Sequence, residues 1–394
     1  MNVFQKDIIA LIKAGIDAEN IDLSSEFDWE KCLELTTRHN IITIIYYAVM
    51  NAQLTVPEDI MNRITNAFFS NVIINERQLY SLEEIKSRFL DKKIDFVLLK
   101  GSHLKFLYPK TELRRMGDAD ILIKMEQYDA IKEILLELGF AELRDEDPEI
   151  IWNSKSLHLE LHRSLYAKRN ADLYDYFGTG WDFAKDFDAS NGYVFTKEYE
   201  YLYMFTHFAK HFRNGGIGLI HMIDLWIYKR TNQDLDEQFV KKELEKLDMT
   251  EFYDNIWHTL NVWFDEQPET EKSNVITEWI FNSGSYGTYE AHVLSKALKK
   301  TEADTSNNNA KGKLLKEYLF PPRYTMYNKY TFLRKVPFLL PVMYIWRIVY
   351  TVLFSWNKVE KKKNNLKLSS DDNIKNHKEF MENIGIRFSN KGDR

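Results

Sequence analysis

The sequence has few of the residues that interrupt or cross-link a chain. Its 394 residues include 8 prolines, 15 glycines and a single cysteine, Cys32. Such low proline and glycine contents argue against a β-sandwich, a collagen-like chain or a disordered chain, and they favour long helices. A lone cysteine excludes an intrachain disulfide bond and a cysteine-rich zinc site, which is consistent with a reducing cytoplasm.

A strong charge of one sign and an export signal are missing as well. The formal net charge is -6, which is too mild to indicate a strongly basic nucleic-acid-binding protein, so any basic patch must be local. Lys, Asp and Gln interrupt the first residues, MNVFQKDIIALIKAGI, which therefore do not resemble a signal peptide. We expect a cytoplasmic protein.

The distribution of apolar residues predicts an α+β fold, with a small mixed β-sheet core flanked by N-terminal and C-terminal helical domains. The length exceeds that of one usual hydrophobic core, so more than one domain is expected. The predicted regions are an N-terminal helical domain (1-90), the mixed-sheet core (91-197), a C-terminal helical domain (198-335), and an apolar and basic helix with a polar tail (336-394).

Two parts of the helical regions carry more specific expectations. Residues 28-50, and a second stretch from Pro57 to about Phe89, repeat apolar side chains at helical spacing without an internal glycine or proline, and they predict helical structure. The last 25 or so residues of the chain are polar, and we expect them to be loosely held.

Short runs rich in β-forming residues alternate with one amphipathic helix in the central region. The predicted strands are 94-100, 118-123, 149-154 and 156-162, and the predicted helix is 125-140.

Two carboxylates share one face of the strand at 118-123. Alternation along a strand sends Asp118, Asp120 and Leu122 to one face, and Ala119, Ile121 and Ile123 to the other. Unpaired like charges at that spacing repel each other, and a divalent cation with a preference for oxygen ligands, such as Mg²⁺, relieves the repulsion. The pair therefore indicates a metal site, although an isolated Asp-x-Asp is common.

The glycine and serine that follow the first strand indicate a phosphate-binding turn. Gly101 permits close approach of the backbone, and the start of the helix expected after it offers free N–H groups to an anion. Ser102 suits phosphate contact and helix capping alike.

A third carboxylate occupies the polar face of the strand at 156-162. His158, Glu160 and His162 face one way while three leucines face the other. In two-metal phosphoryl transfer, a third carboxylate holds the ion that activates the attacking hydroxyl, and Glu160 suits that role. The alternative is a solvent-facing edge strand.

The order of these motifs resembles the DNA polymerase β-like nucleotidyltransferase superfamily, whose signature joins Gly-Gly or Gly-Ser to Asp-x-Asp/Glu. More narrowly, LLKGSHLKFLYPKTELRRMGDADILI followed by LHLELHRSL resembles a family of uncharacterised bacterial nucleotidyltransferases. The matching residues are Lys100, Gly101, Arg115, Asp118, Asp120, Glu160 and His162. Two residues depart from the family pattern, namely Ser102 in place of a second glycine-like residue and glutamate in place of the commoner aspartate at 160. The spacer of 15 residues between Ser102 and Asp118 is slightly long for the superfamily.

The resemblance implies transfer of a nucleoside monophosphate from an NTP, ATP among the candidates, to an acceptor hydroxyl in the catalytic core 91-197. It assigns Asp118, Asp120 and Glu160 as ligands of two Mg²⁺ ions, for which Mn²⁺ could substitute. It assigns phosphate binding to Lys100, Gly101, Ser102 and Arg115. It leaves the acceptor open among a protein, an RNA, a sugar and a small molecule.

Three alternatives accompany this interpretation. A set of His207, His211, His221 and Asp224 could bind zinc in a metal-dependent phosphohydrolase. If no metal binds there, His207, His211 and Asp224 line the far wall of the cleft together with His162, or form buried hydrogen bonds. The second alternative is a catalytically silent protein that binds a nucleotide or a partner. The third concerns Arg114 and Arg115, which could be surface residues paired to Glu112.

A late apolar segment carries its own hypothesis. Residues 336-356 contain a single charge, Arg347, and as a helix they place Arg347, Thr351, Ser355 and Lys358 on one polar stripe, with Lys361 to Lys363 beyond it. A helix lying on an anionic membrane would show this pattern, which places 336-363 at the inner face of the membrane. The alternatives are burial in the C-terminal domain and a dimer interface.

Overall fold

The mixed sheet lies between two layers of helices. In a computed structural model, residues 1-188, 192-284, 287-302, 310-354 and 356-387 are described. The N-terminal region forms α1 (Val3–Asp17), α2 (Trp29–Arg38), α3 (Ile42–Asn51) and α4 (Glu58–Asp91).

The central region forms the sheet and three short helices. These elements are β1 (Phe96–Leu99), α5 (Gly101–Leu104), β2 (Ala119–Ile123), α6 (Tyr128–Glu137), β3 (Ala141–Glu146), β4 (Glu149–Asn153), β5 (His158–His162), α7 (Ala171–Phe177), β6 (Ala184–Asp188) and β7 (Gly192–Phe195).

The rest of the chain is helical in the described residues. The helices are α8 (Lys197–Gly215), α9 (Leu219–Thr231), α10 (Glu237–Lys246), α11 (Thr250–Phe264), α12 (Glu271–Asn282), α13 (Tyr289–Glu302), α14 (Ala310–Leu319), α15 (Arg323–Lys329), α16 (Leu340–Phe354), α17 (Trp356–Leu368) and α18 (Asp371–Asn383).

Within the described residues the strands form one sheet in the order β3-β4-β5-β2-β1-β7-β6. The pairs β2–β5 and β1–β7 are parallel, and the other neighbours are antiparallel. The four predicted strands and the α+β class are confirmed. Three further strands, β3, β6 and β7, were not predicted. All six residues of β3 are exposed. Its sequence has no alternation of buried apolar and exposed polar residues that would predict a strand, and its extended conformation depends on pairing with β4.

The two faces of the sheet enter different hydrophobic cores. Ala119, Ile121 and Ile123 pack with α6 and the last turns of α4, whereas Leu122 joins a core shared by the N-terminal and C-terminal helices. The predicted alternation along 118-123 is therefore confirmed. Because the carboxylates of that strand lie on the Leu122 face, they point towards the helices rather than into bulk solvent.

The helical stretch predicted over 28-50 forms two helices. The α2 helix begins at its Asp28 cap and ends at Arg38, and Asn40 has a left-handed φ of 58° before α3 begins. Between them His39 is fully buried, and its Nδ1 accepts a hydrogen bond from the backbone N–H of Leu219, at 3.1 Å. The helix is therefore interrupted where His39 contacts Leu219, a residue distant in sequence, and the local apolar pattern does not predict this interruption.

The C-terminal region departs from two expectations. Residues 371-387 are not loosely held, because α18 is followed by Ile384 and Ile386, which are buried in the main core with Met381. The rest of that expectation, 388-394, lies outside the described residues. Burial of the apolar segment inside the C-terminal domain is also wrong, since only 6% of Pro337–Phe354 is buried.

Candidate active site

Strand register brings the predicted carboxylates together. In the parallel pairing of β2 and β5, Asp120 lies directly opposite Glu160. Residues opposite each other in a sheet project from the same face, so the two carboxylates are neighbours. Asp118 directly precedes β2, is half-buried and lines the same cavity. The edge-strand alternative for β5 is wrong, because β5 lies between β4 and β2.

His162 completes a group of possible metal ligands. Ligand atoms of Asp120, Glu160 and His162 all lie within 4.8 Å of one another. The Nε2 atom of His162 is 2.7 Å from Asp120 Oδ1 and 3.8 Å from Glu160 Oε2. Its Nδ1 atom is buried without a hydrogen-bond partner. Two oxygen donors beside one imidazole form a set that a divalent cation can use.

The carboxylates have opposing protonation preferences. Burial, together with the neighbouring charges of Asp120 and Glu149, raises the pKa of Glu160 to about 8. Burial and Asp120 also raise the pKa of Asp118. Burial would raise the pKa of Asp120 too, but Lys100 and His162 outweigh it and hold that pKa well below its usual range. A cluster in which one carboxyl is ionised and its neighbours resist ionisation is the electrostatic condition that a bound cation relieves.

Lys100 is fixed beside the carboxylates by an unusual backbone conformation. Its φ of 47° and ψ of -127° place it in a region that non-glycine residues rarely adopt. From there its Nζ donates a hydrogen bond to Asp120 Oδ1. Burial opposes its charge, but Asp120 dominates and the pKa of Lys100 is raised well above its ordinary value.

Gly101 and Ser102 differ in what they present to the cavity. Gly101 lines it, whereas the Ser102 side chain is fully buried and its Oγ accepts a hydrogen bond from the backbone N–H of Asp120, at 2.8 Å. The expected helix after the turn is short, since α5 ends at Leu104 and a 3-10 turn follows over Lys105–Leu107. Ser102 thus positions the start of β2.

The two arginines before the Asp-x-Asp motif have different surroundings. Arg114 is buried and donates from Nε and Nη2 to the carboxylate of Asp224, at 2.8 and 2.9 Å. Tyr108 donates to the same carboxylate. The proposed pairing of Arg114 with Glu112 is therefore wrong, and Glu112 instead accepts a hydrogen bond from Tyr47. Arg115 is exposed and lines the cavity.

A cavity of about 500 Å³ lies between the carboxylates and α8 and α9. Its lining includes every predicted site residue except Ser102 and His162. On the far wall, Nε2 of His207 is 3.1 Å from Nε2 of His211. Burial and the nearby ammonium of Lys210 hold the pKa of both histidines well below the usual value. They are consequently neutral at physiological pH.

The far wall does not form the zinc site of the phosphohydrolase alternative. Asp224 is occupied by Arg114 and Tyr108, and the nearest approach of His221 to it is 3.8 Å. In the described part of the chain, the donors grouped closely enough to hold a metal ion are Asp120, Glu160 and His162.

Sequence patterns missed three charged residues of the cavity, Glu149, Glu200 and Lys210. Glu149 begins β4 opposite His162, and its Oε1 lies 4.0 Å from Nδ1 of that histidine. Lys210 lies three residues after His207 on α8, and residues three apart on a helix are neighbours. The helical spacing that identified His207 could therefore have identified Lys210 as well. Burial and repulsion from Lys100 lower the pKa of Lys210 to about 8.

Comparison with known proteins agrees with the motifs. A family model described as Uncharacterised nucleotidyltransferase matches residues 25–265, more than half of the chain, and the protein belongs to that family. No curated protein and no solved structure matches it. The matched range includes both halves of the cavity and ends before the apolar helix α16. Membership supports a general nucleotidyl transfer reaction with an NTP substrate.

Proposed function

We propose that this member of the Uncharacterised nucleotidyltransferase family transfers a nucleoside monophosphate from an NTP to an acceptor hydroxyl, with release of pyrophosphate. The observation that carries the proposal is the pairing of Asp120 with Glu160 across two parallel strands, beside Asp118 and inside a cavity. The proposal includes a cytoplasmic location, where NTPs are available.

The donor set fits divalent metal ions. Asp118, Asp120 and Glu160 supply hard oxygen ligands, and the raised pKa of Glu160 reflects its burial beside other negatively charged carboxylates. Two Mg²⁺ ions, or Mn²⁺ in their place, would polarise the phosphoryl group and lower the pKa of the acceptor hydroxyl when bound there. His162 is buried, and through Nε2 it fixes the orientation of the Asp120 carboxylate.

The cations of the cavity suit a triphosphate. Lys100 projects to Asp120 from the β1 end, Arg115 is exposed at the rim, and Lys210 extends from α8 opposite them. Positive groups held in a partly buried cavity stabilise phosphate charge more than they would in water. Gly101, which follows Lys100, lines the cavity without a side chain. The chain's own contribution is thus to bind and orient the triphosphate next to the carboxylates.

The neutral histidines suit an uncharged ligand group. With pKa values lowered by burial, His207 and His211 each keep one N–H donor and one acceptor nitrogen. Such groups can hydrogen-bond a base, a ribose or the acceptor without repelling Lys210. We assign the wall formed by His207 and His211, with Asp224 holding Arg114 behind it, to recognition of the base, the ribose or the acceptor rather than to metal binding.

The decisive experiment supplies each α-labelled NTP in turn with Mg²⁺ and a lysate, and follows both pyrophosphate release and label transfer. Sensitivity of the labelled product to protease or ribonuclease separates a protein, an RNA, and a sugar or small molecule as acceptor. Label transfer that disappears in an Asp118→Asn/Asp120→Asn variant of unchanged circular dichroism supports the proposal.

Two results would overturn it. Nucleotide binding without pyrophosphate release, with every NTP and lysate fraction, would instead indicate a silent binding protein. Stoichiometric zinc retained by the same double variant would favour the histidine-based phosphohydrolase.

A further inference from the structure

The helix α16 exposes a continuous apolar face. Phe338 precedes this face, which continues through Val342, Ile345, Val349 and Leu353, and Ile345 and Leu353 are 65% and 67% exposed. These residues recur at helical spacing, so they lie along one side. An exposed apolar surface of this extent on a protein marks an interaction site.

The opposite side of α16 is attached to the rest of the protein. The Arg347 guanidinium donates to the carbonyl oxygens of Tyr318 and Leu319 at the end of α14, and the Tyr344 hydroxyl donates to Pro321 O at 2.7 Å. Leu340 packs in a small core with neighbouring helices. Arg347 of the predicted polar stripe therefore faces the protein, whereas the Thr351 hydroxyl donates to the Arg347 carbonyl within α16. Ser355 and the Lys358 side chain lie outside the described residues.

By length and composition alone, the helical segment Pro337–Phe354 could cross a membrane. Its α-helical part, α16, has 15 residues, which span about 22 Å against a hydrocarbon thickness of about 30 Å, and the contacts of Arg347 attach the middle of this helix to α14. The chain also returns to the same body, because Asn365 on α17 donates to the Tyr318 hydroxyl at 3.0 Å and α18 packs on Trp279. An orientation parallel to a surface is the one that these contacts allow.

The charge around α16 distinguishes between the possible binding partners of its apolar face, a second copy of the chain and a lipid surface. Positions 323 to 367 contain ten Lys and Arg residues and one acidic residue, Glu360, in a chain whose net charge is -6. A second copy of the chain docked on the same face would bring two such basic segments together, which is unfavourable. An anionic lipid surface complements both the basic charge and the apolar face.

We infer that α16 lies in the plane of an anionic membrane, with its apolar face inserted among the lipid chains and the flanking basic residues at the headgroups. Trp346 and Tyr350, which stack with ring centroids 5.1 Å apart, lie beside that face, and aromatic residues of this kind are enriched at membrane interfaces. The inference does not depend on the nucleotidyl transfer proposal.

Sedimentation with vesicles tests the inference. The full-length protein should co-sediment with phosphatidylcholine vesicles that contain about 30% phosphatidylserine, and much less with pure phosphatidylcholine, and binding should weaken at high salt. Val349→Glu/Leu353→Glu should reduce the bound fraction by at least about tenfold. The matched control is Leu143→Glu, which places the same charge at a residue of β3 that is 61% exposed, and it should bind like the wild type.

A fluorescent label provides a second measurement on folded protein. Cys32 is buried, and burial raises the pKa of its thiol to about 12, so a cysteine introduced on the surface is labelled selectively. An environment-sensitive dye attached through Ile345→Cys should shift to the blue with the anionic vesicles, whereas a dye attached through Leu143→Cys should not. A dye at position 345 that stays in water, or a lipid-free dimer that Val349→Glu/Leu353→Glu dissociates, would overturn the inference.

Discussion

Asp120 accepts hydrogen bonds on one carboxylate oxygen from two basic residues, Lys100 and His162. Lys100 reaches it from the end of β1, and His162 lies on β5, so residues from three neighbouring strands converge on a single atom. The position of Asp120 is therefore fixed by the sheet, and its ionised state is fixed by its neighbours. Four predictions depend on this arrangement and on the contacts around it.

Asp120→Asn should lower nucleotidyl transfer on the order of 10³-fold or more, because the amide is a poor metal ligand and leaves Lys100 without its carboxylate. Initial rates with saturating NTP and Mg²⁺ measure the effect. Asp95→Asn is the control, since Asp95 pairs with Lys124 at the opposite end of β1, and it should retain activity. Equal losses in the two variants would exclude a specific role for Asp120.

The contribution of Glu160 to stability without metal should fall as the pH rises from about 4.5 to about 8. Glu160 has a folded-state pKa of about 8 against an ordinary value of 4.5, so the folded protein holds a proton that the unfolded chain releases in this window, and stability from this group is lost as the pH rises through it. Added Mg²⁺ needs the ionised carboxylate. The increase in Tm caused by Mg²⁺ over EDTA should therefore be larger at pH 9 than at pH 6.

Glu160→Gln is the control for that pH dependence. The amide does not titrate, so in the absence of metal its Tm should change less between pH 6 and pH 9 than that of the wild type, and Mg²⁺ should stabilise it less at pH 9. A wild-type response to Mg²⁺ that is the same at both pH values would contradict the assignment of Glu160 as a ligand.

Asp224→Ala should destabilise the protein by about 3–5 kcal/mol, because it leaves the buried Arg114 guanidinium without a counter-charge. Urea unfolding followed by circular dichroism gives the free energy. Asp17→Ala, which breaks an ion pair with the partly exposed Arg230, should cost only about 0–1 kcal/mol. Zinc content should be unaffected by Asp224→Ala, whereas a parallel loss of bound zinc would restore the histidine site as a candidate.

Ser102→Ala should lower kcat more than it raises KM for the NTP. The substitution leaves the buried backbone N–H of Asp120 without its acceptor, at a cost of about 1–3 kcal/mol, and loosens the start of β2. A direct phosphate contact would show the reverse pattern, with an increase in KM at nearly constant kcat. Steady-state kinetics across NTP concentrations distinguish the two roles.

Sequence alone determined the local chemistry of the site. The alternation in 118-123 and 156-162 assigned faces to Asp118, Asp120 and Glu160 because a strand has a period of two, and the motif order indicated the family that the matched model confirms. Helical spacing also identified α8 and its histidines. Such conclusions need only the covalent geometry of neighbouring residues.

Tertiary structure decided which strands and helices meet. The sequence did not contain the pairing of Asp120 with Glu160, the burial of Arg114 against Asp224, or the break at His39, because each joins residues from separate elements. The same holds for α16. Its composition is compatible with burial, with a partner interface and with a membrane surface, and only the fold shows that its apolar face is uncovered. Contacts between distant segments depend on how the whole chain packs, and a local pattern does not record them.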